Sequence, residues 1–118
     1  MGELAAAAGA LTASTALARG IFPDQRYDLG VVGGFGAPAA MELVRSADVV
    51  VVFSAALNQF TMRFGDLFSP GARVVQVDVV QRATHAHVGA FIRGDAAVVA
   101  RLLLDHVAAL GTRSAGWR

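Results

Sequence analysis

The 118-residue sequence contains no cysteine and no lysine, and it has one tryptophan, one tyrosine and three prolines. Without cysteine the chain can form neither a disulfide framework nor a thiolate metal site, which suits a reducing compartment such as the cytoplasm. All ten basic residues are arginines, scattered singly and nearly balanced by nine acidic residues, for a net charge of +1. Because no basic stripe is present, we predict no nucleic-acid partner.

Long hydrophobic runs are missing as well. Although 55% of the residues are hydrophobic, no apolar run reaches the roughly 18 to 20 residues of a bilayer span, so we predict no membrane partner. The alanine-rich beginning of the chain imitates a secretory signal. However, Glu3 stands at its front and Thr12, Ser14 and Thr15 interrupt its apolar centre, which argues against a signal peptide. We therefore expect a soluble cytoplasmic protein.

The chain length matches one domain with a real core. Residues 3–8 favour a helix with Gly9 as its C-cap, and residues 11–15 predict a short buried strand. Pro38 suits the first position of a helix that runs to about Ala47, with Met41 and Val44 facing inward.

The later segments alternate in the same way. Residues 48–53 and 73–78 are runs of β-branched residues without polar alternation, the pattern of central parallel strands covered on both faces. Phe91 and Ile92 predict a shorter strand, after which Asp95 caps a final helix that ends at Gly111. That helix carries a broad predicted apolar stripe, formed by Val98, Val99, Leu102, Leu103, Val107 and Leu110.

Strands that alternate with helices indicate an α/β fold with a parallel sheet and right-handed crossovers. Ligands of such sheets bind beyond the carboxyl ends of the strands. Three segments are expected to converge there: the glycine loop at residues 33–36, the strand end at residues 54–58, and Asp78.

Each of these segments has two interpretations. Gly33, Gly34 and Gly36 could let backbone amides approach a pyrophosphate at a helix start, or they could form a plain turn. Their spacing differs from the Gly-x-Gly-x-x-Gly fingerprint, so the local pattern favours the turn. Asp78 could hold ribose hydroxyls or be a strand-end acid, and Ser54 and Asn58 are ligand contacts or polar turn residues.

No catalytic constellation is visible. His85 and His87 lack a third metal ligand at convincing spacing, and no serine lies in a Gly-x-Ser-x-Gly elbow. We therefore assign no catalytic and no metal residue, and predict that the isolated chain is inactive. An apolar cluster is predicted to pack a short helix against the core or to meet a partner domain; it consists of Phe60, Met62, Phe64, Leu67 and Phe68.

Taken in order, these segments resemble the central domain of thiamine diphosphate enzymes of the acetolactate synthase type. The resemblance covers about residues 3–110 and is carried by the order of several motifs: Gly20-Ile21-Phe22-Pro23, Leu29-Gly30 before Gly33-x-x-Gly36, the strand ending in Ser54-Ala55-Ala56-Leu57-Asn58, residues 68–73, Val75-Gln76-Val77-Asp78, and Gly94-Asp95. It implies a Rossmann-like three-layer domain with a parallel sheet that lacks the family's first strand. Residues 1–111 would form this truncated domain, and residues 112–118 a tail or the start of an interdomain linker.

The resemblance also implies nucleotide-lining roles, because some members of the family bind FAD or an adenine nucleotide such as ADP in this domain. The positions concerned are Gly33, Gly34, Phe35, Gly36, Ser54, Ala55, Asn58, Asp78 and Asp95. Three departures weaken FAD binding. Ala56 stands where the family commonly has a flavin-contacting arginine, Phe35 where FAD-binding members often have histidine, and Val80-Gln81 where Asp-Pro is usual. We expect FAD binding to be weak or lost.

By the same resemblance, thiamine diphosphate and Mg²⁺ belong to two partner domains of a parent chain, the pyrimidine-binding and the diphosphate-binding domain, in a homo-oligomer. The parent reaction would be decarboxylation of a 2-oxo acid and carboligation, to which this chain would contribute a scaffold. Two alternatives stay open from the sequence: a free-standing nucleotide-binding or regulatory module, and a small self-contained enzyme.

Overall fold

The computed structural model describes residues 1–111 and 116–118. Its helices and strands follow one another as α1 (Gly2–Ala8), β1 (Thr12–Ser14), β2 (Asp28–Val31), α2 (Pro38–Arg45), β3 (Val49–Phe53), β4 (Arg73–Asp78), β5 (Val88–Arg93) and α3 (Ala96–Leu110). Two short 3-10 helices, Ala16–Ala18 and Gln25–Tyr27, lie between β1 and β2. In the described part of the chain, no helix has the length and apolar character needed to cross a bilayer.

All strand pairs are parallel. β1 pairs with β2 in a two-stranded sheet, and β3, β4 and β5 form a three-stranded sheet with β4 in the centre. Helix α3 contacts both β4 and α1, whereas α2 packs on the sheet through Met41 and Val44. The predicted α/β class with parallel sheets is therefore confirmed, and the arrangement is consistent with a Rossmann-like three-layer domain.

The core lies between α2 and one face of the larger sheet. Side chains alternate along a strand, so Val50 and Val52 of β3 share this face with Val74 of β4. The buried residues that complete the core come from α2 and from the connection between β3 and β4; they are Met41, Leu57, Met62, Leu67, Phe68 and Ala72.

The helix ends follow the sequence signals. Pro38 occupies the first turn of α2, and the Asp95 side chain accepts a hydrogen bond from Val98 N at 3.0 Å at the start of α3. Gly9 and Gly111 end α1 and α3 in the left-handed conformation, which glycine adopts without steric cost. These predicted helix boundaries are confirmed.

Two predicted faces are wrong. β3 was predicted to be a central strand covered on both faces, but it lies at the edge of the three-stranded sheet. Val49 and Val51 on its second face are 60% and 44% exposed, because α3 contacts β4 instead. In α3, Val98, Leu102 and Leu110 of the predicted stripe are exposed, and the buried position is Ala100.

Three predicted segments differ in extent or kind. The short helix expected around Phe60 is replaced by turns, because Arg63 and Phe64 adopt left-handed φ angles of 50° and 56° that a right-handed helix excludes. Strand β2 was not predicted, because Gly30 interrupts its hydrophobic residues and glycine is uncommon in strands. In the structure Gly30 has a φ of 78°. β5 is longer than the predicted pair of residues and begins at Val88.

The last residues of the chain contact the connection between α1 and β1. Trp117 N donates to Gly9 O at 2.7 Å, and Arg118 Nε donates to Ala10 O at 2.6 Å. The Arg118 guanidinium also lies over the ring of Tyr27, 4.6 Å from its centroid. Residues 112–115 of the predicted tail or linker lie outside the described residues, so that interpretation stays a prediction.

Candidate functional site

The predicted site residues all follow the carboxyl ends of parallel strands. The glycine loop comes after β2, residues 54–58 follow β3, Asp78 ends β4, and Asp95 comes two residues after β5. The ends of β3, β4 and β5 share one edge of the larger sheet, whereas β2 belongs to the separate two-stranded sheet. Hydrogen bonds of the structure divide the residues into two groups.

The first group joins the glycine loop to the turn that begins at Asn58. Gly34 N donates to Phe60 O at 3.2 Å, and Asn58 Oδ1 accepts from Thr61 N at 2.8 Å, which fixes the start of that turn. Phe35 is 75% exposed and packs edge-to-face on Phe60, with 5.1 Å between the ring centroids. The predicted proximity of the glycine loop and Asn58 is thus present in the structure.

The second group joins the ends of the three strands of the larger sheet. Ser54 N donates to Val77 O and Gly94 N donates to Asp78 O, both at 2.9 Å, so the residues after β3, β4 and β5 are neighbours. In the described residues, no hydrogen bond joins this second group to the glycine loop.

Within the second group the carboxylates already have partners in their own loops. Asp78 Oδ1 accepts hydrogen bonds from Val79 N at 2.7 Å and from Val80 N at 3.4 Å, and Asp95 caps α3. Ser54 adopts a left-handed φ of 51°, a conformation that is uncommon for residues other than glycine. The interpretation of Asp78 as a strand-end acid and that of Asp95 as a helix cap therefore both have direct structural support.

A buried polar network beneath this edge was missed by the sequence analysis. Gln76 in the middle of β4 is fully buried. Its Nε2 donates to Ala55 O at 3.0 Å and to Thr84 Oγ1 at 2.6 Å, while its Oε1 accepts from Thr84 N at 2.9 Å. Thr84 Oγ1 also accepts from Leu57 N at 2.9 Å. One glutamine inside an otherwise apolar strand was the signal that could have revealed it, because buried polar groups need partners.

An open cleft lies beside the glycine loop, which contributes Phe35 to its lining. Its volume is about 540 Å³, and its lining comes from the 3-10 helix after β1, from β2, and from the residues before α2: Ala16, Arg19, Leu29, Gly30, Val31, Phe35 and Ala37. Most of this lining is apolar. Arg19 supplies a positive charge and Phe35 an exposed aromatic ring, so the cleft can offer both a flat apolar contact and an anion partner.

Two side chains in the segment before β2, Asp24 and Arg26, shift each other's pKa. Arg26 donates to both carboxylate oxygens of Asp24, at 3.2 and 3.3 Å, and this lowers the pKa of Asp24 from its ordinary value and raises that of Arg26. Across the described residues, no three histidine, aspartate or glutamate side chains are grouped closely enough to hold a metal ion.

Comparison with known proteins decides the family. Residues 1–103 match the model of the thiamine pyrophosphate enzyme central domain. The chain belongs to this family. The sequence order of motifs that suggested an acetolactate synthase-like central domain is therefore confirmed.

The proteins that this chain resembles are much longer than the chain itself. It is 32% identical over 115 residues to an acetolactate synthase of Mycobacterium avium, which covers 92% of this chain and 18% of that protein. It is 30% identical over 105 residues to an acetolactate synthase large subunit of Mycobacterium tuberculosis, covering 86% and 17%. A probable sulfoacetaldehyde acetyltransferase of Rhizobium meliloti is 36% identical over 95 residues, covering 74% and 16%. The chain thus spans less than a fifth of the length of these relatives.

Proposed function

We propose that this chain is the scaffolding central domain of an acetolactate synthase-like thiamine diphosphate enzyme that acts on 2-oxo acids, and that it is not catalytic in isolation. The observation that carries the proposal is the family match over residues 1–103, together with relatives that are five to six times longer than the matched segment. The pyrimidine-binding and diphosphate-binding domains of such a parent would hold thiamine diphosphate and Mg²⁺. The cofactor supplies the carbanion chemistry there.

The contribution of this chain would be mechanical. The polar network around Gln76 ties the connection after β3 to the connection after β4, and α2 closes the core beneath them. A rigid layer of this kind supports residues of neighbouring domains without touching the reacting atoms.

The first experiment measures acetolactate formation from pyruvate by the purified chain with thiamine diphosphate and Mg²⁺. We expect no turnover, and turnover by the chain alone would overturn the proposal. The DNA flanking the segment gives an independent check. A reading frame that continues on both sides into the two cofactor-binding domains supports the scaffold, whereas stop codons on both sides support a free-standing module.

A chimera tests the scaffold directly. We would replace the matching segment of the Mycobacterium avium acetolactate synthase by residues 1–118 and compare it with the same chimera carrying Gly33→Ala, which strains the loop described above. Activity of the first chimera and a large loss in the second are expected. An inactive first chimera, or equal activity of the two, would contradict a scaffolding role.

The open cleft favours a second function, binding of an adenine nucleotide. Its volume of about 540 Å³ lies within the range of small-molecule sites, and Arg19 and Phe35 suit a phosphate and a flat ring. Calorimetric titration with ADP, FAD and NAD would test this, with Arg19→Ala as the variant and the exposed Arg82→Ala as its matched control. Heat with ADP that only Arg19→Ala abolishes is expected, and no heat with any of the three leaves a purely structural role.

A further inference from the structure

In the loop after β2, a Cβ atom added at Gly33, Gly34 or Gly36 would point at other residues of the same domain. A Cβ atom at Gly33 would lie 2.8 Å from Phe60 O and 2.9 Å from Thr61 Cα, and one at Gly34 would overlap the ring of Phe60. A Cβ atom at Gly36 would collide with the buried side chain of Met41. Glycine is therefore required at Gly33, where an added Cβ would meet backbone atoms; at Gly34 and Gly36 a Cβ would have to displace the side chain of Phe60 or Met41.

The amides of the loop are engaged in the same way. Gly34 N donates to Phe60 O and Gly36 N donates to Gly33 O, at 3.2 and 2.9 Å. A phosphate held by a glycine loop needs such N–H groups free and the surface above them open. In this chain the N–H groups of Gly34 and Gly36 already donate within the domain, and residues 60–61 lie against the side of the loop on which Gly33 and Gly34 lack a side chain.

The turn that covers the loop is itself held in place. Asn58 Oδ1 caps it at Thr61 N, the Thr61 side chain is buried, and the neighbouring Met62 is fully buried in the core. The ring of Phe60 also packs on Phe35. The glycine loop and Asn58, to which the family resemblance gives nucleotide-lining roles, are thus joined to each other through residues 60–61.

We propose that the glycine loop is a closed packing joint, in which Phe60 and Thr61 occupy the surface that the glycines leave bare, and that it does not hold the diphosphate of FAD or ADP. The family's flavin does not fit this loop as it is folded. This inference concerns the loop alone and does not depend on the scaffolding role. The cleft beside Arg19 stays open to a ligand that does not use the glycine amides.

The test is a two-dimensional NMR titration of the full chain with inorganic pyrophosphate. Amide resonances of Gly33, Gly34 and Gly36 are expected to stay unshifted up to millimolar pyrophosphate. Saturable shifts of these three amides would overturn the proposal. Shifts confined to Arg19 and Gly30 would support it and also place anion binding in the open cleft.

A second measurement keeps the proposal testable without a ligand. The ring of Phe60 should shift the Hα resonances of Gly34 through its ring current, so Phe60→Leu is expected to remove that shift. Phe64→Leu is the matched control, because Phe64 lies on the same turn but is 82% exposed. Unchanged Gly34 resonances in Phe60→Leu would contradict the packing joint, whatever the titration shows.

Discussion

Gln76 and Thr84 hold each other through two hydrogen bonds of opposite direction. Gln76 Nε2 donates to Thr84 Oγ1 at 2.6 Å, and Gln76 Oε1 accepts from Thr84 N at 2.9 Å. Because Gln76 also donates to Ala55 O, a single buried side chain links β4 to the loops on both sides of it. The carboxyl edge of the sheet is therefore organised from below, by a residue that no ligand would touch.

Replacement of this glutamine should destabilise the domain. Gln76→Leu keeps an apolar strand but leaves Ala55 O and Thr84 N without their side-chain partner, which costs about 1–3 kcal/mol of unfolding free energy; Thr84 Oγ1 keeps its hydrogen bond from Leu57 N. Urea unfolding followed by circular dichroism measures this. Gln81→Leu, at an exposed position, is the control and should change little; equal midpoints for the two variants would refute the role of the network.

The sequence predicted the features that are set by residues close together in the chain, and it missed those set by residues that only the fold brings together. Caps at Asp95 and Gly111 and the first turn at Pro38 are decided within a few residues, and each is confirmed. The exposure of Val51 depends on which helix covers the sheet, and an uninterrupted run of valines cannot show that. The glycine loop was correctly located, but whether a ligand or Phe60 fills its bare side is decided by a turn 26 residues later.

Because the glycine loop lies close to the turn at Phe60, a methyl group added at Gly33 should lower the unfolding free energy more than at a glycine in open space. Gly33 and Gly65 have similar φ angles of 91° and 94°, but only Gly33 has backbone atoms within 3 Å of an added Cβ. Both alanine variants incur backbone strain of about 1–3 kcal/mol. Gly33→Ala should lose clearly more unfolding free energy than Gly65→Ala in the same urea experiment, and an equal loss would show that close approach contributes nothing.

Removal of the Ser14 hydroxyl in β1 is expected not to lower the unfolding free energy. Its Oγ is buried and has no hydrogen-bond partner among the described residues, so Ser14→Ala should leave the unfolding free energy unchanged or raise it by up to about 1 kcal/mol. Thr12 on the same strand is the contrast, because its Oγ1 donates to Tyr27 O at 3.3 Å. Thr12→Val should lower the free energy by about 1 kcal/mol. A clear loss in Ser14→Ala would reveal a partner for its hydroxyl.

Acid should weaken the contact between Asp24 and Arg26. The pKa of Asp24 in the folded chain lies below its ordinary value of 3.8, chiefly because its carboxylate accepts hydrogen bonds from the Arg26 side chain. A lowered pKa adds stability above the unfolded value that is lost as the pH falls through the folded value. Asp24→Asn should therefore have a lower urea midpoint than wild type at neutral pH, and this difference should shrink as the pH falls through the folded pKa of Asp24. A pH-independent difference would assign the effect to shape alone.

The contacts of Trp117 and Arg118 with Gly9 and Ala10 have an architectural consequence. They hold the last two residues against the connection between α1 and β1. Ala10 and Arg118 are 108 positions apart in the sequence, so the hydrogen bond between them closes a loop that contains almost the whole chain.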